Sequence, residues 1–228
     1  MSAFELVVFD WDGTLMDSTA AIVRAMQRAA EELGIAPPPA ERARHVIGLG
    51  LADALRQALP ELPPQRYPEM AARYRHHYLS HDGELALFPG VEELLARLVA
   101  AGRYVAVATG KSRLGLERAL DHSGLRRYVM ASRTADECHS KPHPQMLQEL
   151  LEEFAVPPER AVMIGDTTHD LLMAQAAGTA GIGVAYGAHP REALAALRPL
   201  SVVDAPRALA PLLLGEEAED GRALAQRR

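Results

Sequence analysis

Hydrophobic and polar positions divide the chain into stretches of different spacing. Residues 4–9 form a short β-branched and aromatic run, which predicts a buried strand. From residue 17 to about 81 the apolar positions follow helical spacing instead. The first helix of this stretch is expected to begin after Ser18 or Thr19 and to end at Gly34, since such residues cap helices. Two proline clusters divide the remainder of the stretch into short helices.

From residue 88 onward, strand-like and helix-like segments alternate. Parallel strands need long crossover connections, so this alternation predicts a parallel sheet covered by helices on both faces. The sequence therefore predicts an α/β fold, a Rossmann-like doubly wound parallel sheet with a small α-helical domain inserted after the first strand. We expect residues 1–14 and 87–228 to form the core and residues 15–86 to form the insertion. The predicted strands are 4–9, 104–108, 128–131, 161–164, 180–184 and 201–203, and the predicted helices of this half are 91–101, 112–123, 143–154, 170–177 and 191–197.

Composition and charge narrow the classes of protein to consider. The 228 residues are 48% hydrophobic and 24% charged, as in ordinary globular proteins, so most of the chain can bury a core. The formal charge of -6 disfavours a general nucleic-acid binder, and the apolar runs are too short to span a bilayer. A single cysteine, Cys138, excludes an internal disulfide framework, and the start of the sequence is not that of a secretory signal. We therefore expect a soluble cytoplasmic protein, a monomer or weak homodimer, without a nucleic-acid or membrane partner.

Polar residues follow the end of each of the first four predicted strands. Ligands of an open parallel sheet bind beyond the carboxyl ends of its strands, so these residues are expected to meet at one edge. Taken singly, each has an ordinary explanation as a turn residue, a helix cap or a surface charge. Their occurrence at corresponding strand ends favours a shared site. The residues are Asp10 and Asp12 after the first strand, Thr109 and Gly110 after the second, Lys141 beyond the third, and Gly165, Asp166 and Asp170 after the fourth.

The types of these residues indicate phosphoryl chemistry. Gathering Asp10, Asp166 and Asp170 costs several kcal/mol in repulsion and desolvation unless a cation neutralises them, and carboxylate oxygens suit Mg²⁺. Lys141 supplies a compact positive charge, and Thr109 supplies a hydroxyl beside backbone amides at a helix start, which suits an anion. Together these groups describe a phosphoryl cradle. A carboxylate placed against it can act as a nucleophile through an aspartyl-phosphate.

Four short motifs, in this order, resemble those of the haloacid dehalogenase superfamily, and the resemblance runs from about residue 4 to 213. It is specifically a resemblance to the phosphatases that carry a helical cap inserted after the first strand. Phe88-Pro89-Gly90 and Lys141-Pro142 are further similar to the phosphoglycolate phosphatase-like branch. The four motifs are residues 10–14 (Asp-Trp-Asp-Gly-Thr), Thr109 after a hydrophobic strand, Lys141, and Gly165-Asp166 with Asp170.

The resemblance implies a role for each matched residue. Asp10 would attack phosphorus and become phosphorylated, while Asp12 would protonate the leaving alcohol and then deprotonate the hydrolytic water. Thr109 and Lys141 would hold the phosphoryl oxygens. The substrate would be a small-molecule phosphate monoester, phosphoglycolate-like, and the cap would close over it. The cofactor would be Mg²⁺, bound by Asp10, the backbone carbonyl of Asp12, Asp166, and Asp170 directly or through water.

Substrate choice is expected to lie with the cap and with residues beside the motifs. Arg44 and His45 precede residues 47–50, a stretch that resembles the family's substrate-specificity loop. Arg44 suits an anionic tail such as a carboxylate, although a solvated charge at a helix end explains it equally well. The remaining substrate-binding candidates, which adjoin the catalytic ones, are Thr14, Gly110 and Lys111.

Three other functions use a similar set of residues. A phosphomutase of the same superfamily would use Asp10 and Asp12 in the same way but return the phosphoryl group to the bound substrate. A dehalogenase needs no metal, and the presence of Asp12 and Asp166 disfavours it. A signalling receiver domain also gathers aspartates, a threonine and a lysine around Mg²⁺, but it is far shorter than this chain and has no helical insertion.

Overall fold

A parallel sheet forms the centre of the molecule. The computed structural model describes residues 4–80 and 82–215, and within them six strands are arranged in one sheet. These strands are β1 (Leu6–Phe9), β2 (Tyr104–Thr109), β3 (Ala131–Thr134), β4 (Ala161–Gly165), β5 (Ala180–Val184) and β6 (Ser201–Val203). Their spatial order is β3-β2-β1-β4-β5-β6, so the direction of winding reverses between β1 and β4. In doubly wound sheets ligands bind at such a reversal, beyond the carboxyl ends of the strands.

The central strand is buried on both faces. Leu6 lies opposite Tyr104 of β2 and Ala161 of β4, and the three strands stay in register from there. Because side chains alternate along a strand, Phe9 packs into the core on one face of the sheet and Val8 into the core on the other. A strand enclosed in this way has a continuously hydrophobic sequence, which is why the run at residues 4–9 predicts a strand.

The segment between β1 and residue 87 contains four α-helices, which we call the inserted helices. They enclose a hydrophobic core of their own, and the first of them packs chiefly against the fourth. The segment that enters the insertion lies beside the segment that leaves it. Two backbone hydrogen bonds join them: Asp17 N donates to Ala86 O at 2.9 Å, and Phe88 N donates to Leu15 O at 3.0 Å. The inserted helices are α1 (Thr19–Glu32), α2 (Ala40–His45), α3 (Leu51–Ala58) and α4 (Tyr67–Leu79).

Helices cover both faces of the sheet. Of the six helices that follow the inserted ones, the first, second and last contribute leucines to the core on the Phe9 face, and the third and fourth pack on the Val8 face. Among the residues described, no helix combines the length and the apolar stretch that a bilayer crossing requires. The remaining helices are α5 (Val91–Ala100), α6 (Arg113–Ser123), α7 (Gln145–Phe154), α8 (Thr168–Ala177), α9 (Arg191–Ala196) and α10 (Leu209–Leu214).

The doubly wound α/β fold predicted from the sequence is confirmed. Element ends agree to within two residues apart from the third strand, which was predicted at 128–131 and lies at Ala131–Thr134. That prediction was wrong because Tyr128 and Val129 are apolar for another reason: they pack against the main core from the segment before the strand. The real strand is a polar edge strand with one neighbour. The division into a core and an insertion at residues 15–86 stays a prediction, and residues 1–3 and 216–228 of that core lie outside the described part.

Candidate active site

Three carboxylates meet at the carboxyl ends of β1 and β4, where the winding reverses. Asp10 directly follows β1, Asp166 directly follows β4, and Asp170 lies in the first turn of α8. One oxygen of each lies within 4.8 Å of the others, and all three residues are buried. Thr109, the last residue of β2, is also buried. The edge predicted from the sequence is therefore the place where these side chains converge.

Lys141 lies inside this carboxylate cluster. Its Nζ donates to Asp10 Oδ1 at 2.6 Å and to Asp170 Oδ1 at 2.7 Å, and its side chain has no exposed surface. Burial opposes the charge of the ammonium, but the carboxylates of Asp10 and Asp170 outweigh burial and raise the pKa of Lys141 above its ordinary value. The lysine is therefore held as a cation that points at the first aspartate.

The cluster still carries excess negative charge. Three carboxylates face one ammonium, so two charges remain uncompensated if all the acids ionise. Burial raises the pKa of Asp10 to about 7, with Lys141 lowering it and Asp170 raising it. Burial likewise raises the pKa of Asp166 well above its ordinary value, and the charges of Asp10 and Asp170 add to the effect. A divalent cation would remove this penalty.

The residues present fit such a cation. Asp10 Oδ2 is buried and has no hydrogen-bond partner, so one ligand oxygen is uncommitted. Asp166 is held by Thr14 Oγ1, which donates to Oδ1 at 3.0 Å, and by the backbone N–H of Ala188, which donates to Oδ2 at 2.7 Å. Gly13 closes the space beside it, because a Cβ there would lie 2.1 Å from Asp166 Oδ2. Thr14, predicted as a substrate contact, therefore bonds a candidate metal ligand.

Two residues donate hydrogen bonds to the carboxylate of Asp170. Its Oδ1 accepts from Lys141, and its Oδ2 accepts from the N–H and the hydroxyl of Thr167 at 3.1 and 2.7 Å. The Thr167 hydroxyl in turn accepts from the Asp170 N–H, which makes a capping box at the start of α8. This cap starts the helix at Thr168, two residues before the predicted start.

The carboxylate of Asp12 turns away from the cluster. Ser18 Oγ donates to its Oδ1 at 2.7 Å, and Lys111 Nζ lies 3.0 Å from its Oδ2. Tyr78 of α4 donates to Oδ1 at 3.4 Å and accepts from Lys111 Nζ at 3.1 Å. The ammonium also lies 4.7 Å from the centre of the Tyr78 ring. Asp12 is therefore linked to an inserted helix and to the strand-end loop after β2.

Two of these partners of Asp12, Ser18 and Tyr78, were not predicted from the sequence. Ser18 was expected to cap α1, but its side chain makes no capping bond to the helix and serves Asp12 instead. Tyr78 carries no motif, and only the packing of α4 against the site brings its hydroxyl to Asp12. Lys111 was predicted at the site and does lie there, and its backbone N–H donates to Thr109 Oγ1 at 3.2 Å.

The loop at residues 47–50 lies against the strand ends. A Cβ at Gly110 would lie 2.5 Å from Leu49 O and 2.6 Å from Gly48 O, so this contact requires glycine at position 110. On the other side, Gly50 N donates to Ser140 Oγ at 2.8 Å, next to Lys141. The loop expected to govern specificity is thus seated between the loops after β2 and β3.

Arg44 and His45 are both exposed at the end of α2. The carbonyl of His45 accepts from His169 Nε2 at 2.8 Å and from His189 Nε2 at 3.1 Å, and its ring stacks on His189 with centroids 5.0 Å apart. Burial lowers the pKa of His189 to about 4, so this imidazole is neutral near pH 7. Neither His169 nor His189 was predicted, because isolated histidines carry no motif.

Comparisons with known proteins agree with this geometry. The family model for haloacid dehalogenase-like hydrolases matches residues 7–184. A protein named probable phosphatase IndB, from Dickeya dadantii (strain 3937), is 38% identical over 205 residues, which cover 87% of this chain and 89% of that protein. A phosphoglycolate phosphatase from Agrobacterium fabrum (strain C58) is 30% identical over 226 residues, 96% of this chain and 97% of that one. The crystal structure of a predicted phosphoglycolate phosphatase from Haemophilus somnus 129pt matches in fold, with a TM-score of 0.81 at 24% identity over 95% of this chain and 100% of that one.

Proposed function

The chain belongs to the haloacid dehalogenase-like hydrolases and is a phosphatase of that family, and we propose that it hydrolyses a small-molecule phosphate monoester with Mg²⁺ through an aspartyl-phosphate on Asp10. One observation carries the proposal. Lys141 bonds one oxygen of the buried Asp10 carboxylate, while the other oxygen, Oδ2, has no partner. An acid in this arrangement is oriented, is placed beside a cation, and has an oxygen available for attack.

The first step forms a bond between Asp10 Oδ2 and phosphorus and breaks the bond from phosphorus to the alcohol oxygen. Asp12 gives its proton to that oxygen, so the alcohol leaves neutral. Ser18, Tyr78 and Lys111 hold the Asp12 carboxyl by its two oxygens, which fixes its direction away from Asp10. Asp10 therefore accepts the phosphoryl group, while Asp12 protonates the alcohol oxygen that leaves.

The second step returns Asp10 to its starting state. Asp12, now ionised, takes a proton from water, and the water oxygen attacks phosphorus while the bond from phosphorus to Asp10 breaks. Lys141 and the Thr109 hydroxyl face the phosphoryl oxygens as charge spreads over them. Thr109 Oγ1 already accepts from the N–H of Lys111, so its hydrogen is left to donate to the phosphoryl group.

Magnesium would be held by Asp10, Asp166 and the backbone carbonyl of Asp12. Both oxygens of Asp170 already accept hydrogen bonds from Lys141 and Thr167, which favours a water-mediated partnership for that residue. When bound, the ion neutralises the clustered carboxylates and draws charge from the phosphoryl oxygens. Thr14 positions Asp166 for this role through its hydrogen bond.

The test compares Asp10→Asn with Asp17→Asn in the full-length protein. Asp17 is an exposed acid outside the cluster, so it controls for loss of one surface carboxylate. Phosphate release from a generic ester should require Mg²⁺, stop with a chelator and vanish in Asp10→Asn while persisting in Asp17→Asn. Hydroxylamine should trap a modified Asp10 during turnover, detectable by mass spectrometry. Turnover by Asp10→Asn would refute the nucleophile, and conversion of a hexose phosphate into its isomer without phosphate release would indicate a phosphomutase.

A further inference from the structure

We propose that the alcohol part of the substrate is a bulky, mainly apolar group that carries an aromatic ring, and not a short carboxylic acid such as glycolate. The inference rests on the proposed function, since it concerns what the phosphatase site accepts beyond the phosphoryl group. It is carried by a cavity that begins at Asp12 and Lys111 and extends between the inserted helices on one side and the loop after β2 with α6 on the other.

The position of the cavity puts it on the leaving-group side of the proposed reaction. Asp12 lines it, whereas Asp10, Asp166 and Asp170 do not. A group seated there would lie on the side of the proposed proton donor, where the leaving oxygen must be. The loop at residues 47–49 and the α1 and α4 helices supply one wall of the cavity, and the loop after β2 with α6 supplies the other.

The volume of the cavity is far larger than glycolate needs. It measures about 890 Å³, within the range of about 300–1,000 Å³ that is typical of sites for drug-sized ligands. Its deep wall is apolar, so a small charged acid would leave most of this surface in contact with water. The buried or half-buried apolar residues of this wall are Ile22, Met26, Ile47, Leu49, Leu51 and Ala54.

Aromatic side chains stand near the phosphoryl end. Tyr74 and Tyr78 are stacked, with ring centroids 6.0 Å apart and planes 21° from parallel, and both line the cavity with Trp11. Tyr78 also bonds Asp12, so this aromatic wall starts at the proposed proton donor. Aromatic rings prefer offset-stacked or edge contacts with one another, which favours a ring on the substrate at this position.

Charged side chains of both signs line the cavity, so it has no excess of positive charge to hold a carboxylate: Asp12, Asp121 and Asp136 lie there together with Lys111, Arg75 and Arg118. Lys111, the cation next to Asp12, already contacts the Asp12 carboxylate at 3.0 Å. Arg75 and Arg118 line the cavity as exposed side chains. Arg44, the residue predicted to bind an anionic tail, does not line it. Glycolate places its carboxylate next to the ester oxygen, and there the Lys111 ammonium already contacts Asp12 and the Tyr78 hydroxyl.

Two leucines stand among the polar side chains at the exposed rim of the cavity. Leu114 and Leu79 line it and are 73% and 38% exposed, among the most exposed large apolar side chains of the described residues. A substrate group that reaches the rim would cover them.

The experiment measures kcat/KM of the magnesium-loaded full chain for four esters: 2-(2-naphthyl)ethyl, octyl and ethyl phosphate, and phosphoglycolate. The first three release primary alkanols of similar basicity, so their ratios report binding of the alcohol and not leaving-group chemistry. We expect the naphthylethyl ester to exceed ethyl phosphate and phosphoglycolate by at least about a hundredfold, because burial of a bicyclic ring removes a large apolar area from water. It should also exceed the octyl ester.

The variant Leu114→Asp tests whether the cavity is responsible. We expect it to lower the ratio of kcat/KM for naphthylethyl over ethyl phosphate about tenfold, since it places a charge against the apolar group. Leu114→Gln should lower the ratio in the same direction. Leu200→Asp is the matched control, because Leu200 is 56% exposed and lies outside the cavity lining. Its ratio should stay at the wild-type value.

The outcomes distinguish a failure of the proposed function from a failure of the inference about the alcohol group. If none of the four esters is hydrolysed, the proposed function fails and the inference fails with it. If ethyl phosphate or phosphoglycolate equals the naphthylethyl ester, or octyl phosphate matches it, the proposed function stands and the inference is overturned. An unchanged ratio in both Leu114 variants also overturns it, because the ring would then bind elsewhere.

Discussion

Replacing Lys141 with methionine tests whether the carboxylate cluster depends on its buried ammonium. The lysine side chain has no exposed surface and bonds Asp10 and Asp170 at 2.6 and 2.7 Å. Methionine keeps most of the volume but leaves the acids together without their cation. Removal of one partner from a buried ion pair typically costs about 3–5 kcal/mol. We expect a loss of that size in the free energy of unfolding of the chelator-treated protein at pH 8.

The loss should grow as the pH rises. Burial raises the pKa of Asp10 to about 7 in the folded protein, against an ordinary 3.8, and removal of the ammonium raises it further. A carboxyl with a raised folded pKa binds more protons in the folded than in the unfolded state. Stability then falls as the pH rises between the two pKa values. Lys141→Met should therefore lose less stability at pH 5 than at pH 8.

The measurement is urea unfolding at both pH values, with Arg191→Met as the control. Arg191 bonds Asp204 at 2.7 Å, but both side chains are exposed. An exposed ion pair contributes about 0–1 kcal/mol, so the control should stay within that range. A Lys141→Met protein within about 1 kcal/mol of wild type at pH 8 would refute the reasoning. So would a loss that is larger at pH 5 than at pH 8.

Further predictions follow from other contacts of the site. Thr167→Ala removes the capping box of α8 and should lower the free energy of unfolding by about 1–2 kcal/mol in urea, while Thr167→Ser should retain most of it. Tyr78→Phe keeps the ring but removes the hydroxyl between Asp12 and Lys111, so kcat should fall about tenfold with KM little changed in steady-state assays; an unchanged kcat would show that the bond does not orient the acid. Gly110→Ala should destabilise the protein by at least about 1 kcal/mol, because its Cβ would meet the Leu49 carbonyl, whereas Gly83→Ala, with a nearest contact at 3.9 Å, should not. Chelator-treated wild type should lose stability between pH 5 and pH 8 in thermal melts, and Mg²⁺ should restore it at pH 8; a chelated protein with equal stability at both pH values would contradict the raised pKa of Asp10.

The sheet and the edge that carries the site were predictable because both leave periodic or positional marks in the sequence. A strand buried on two faces is hydrophobic throughout, as β1 is, and a parallel sheet requires a helix after each strand. Asp10 and Asp166 directly follow β1 and β4, so their meeting follows from the strand order alone. The edge strand β3 lacks such marks, since its residues are polar, and it was misplaced for that reason.

The partners that come from the inserted helices were not predictable in the same way. Periodicity shows which face of α4 is apolar, but it does not show which loop that face will meet. Tyr78 reaches Asp12 across 66 positions of sequence, and His189 reaches the carbonyl of His45 across 144. These contacts depend on how two packed bodies fit together, which no local pattern records. The cavity that we assign to the leaving group has the same origin.

Asp170 shows a further limit of interpreting residues one at a time. From the sequence, a helix-capping role and a place in a metal-dependent cluster are competing explanations of one carboxylate. In the structure the two roles use different oxygens, because Oδ2 accepts from Thr167 and Oδ1 accepts from Lys141. The cap therefore fixes the oxygen that meets the lysine, and the lysine in turn is directed at Asp10. The cap at Thr167 thus helps to orient the Lys141 cation beside Asp10, so loss of the Thr167 hydroxyl should lower kcat as well as stability.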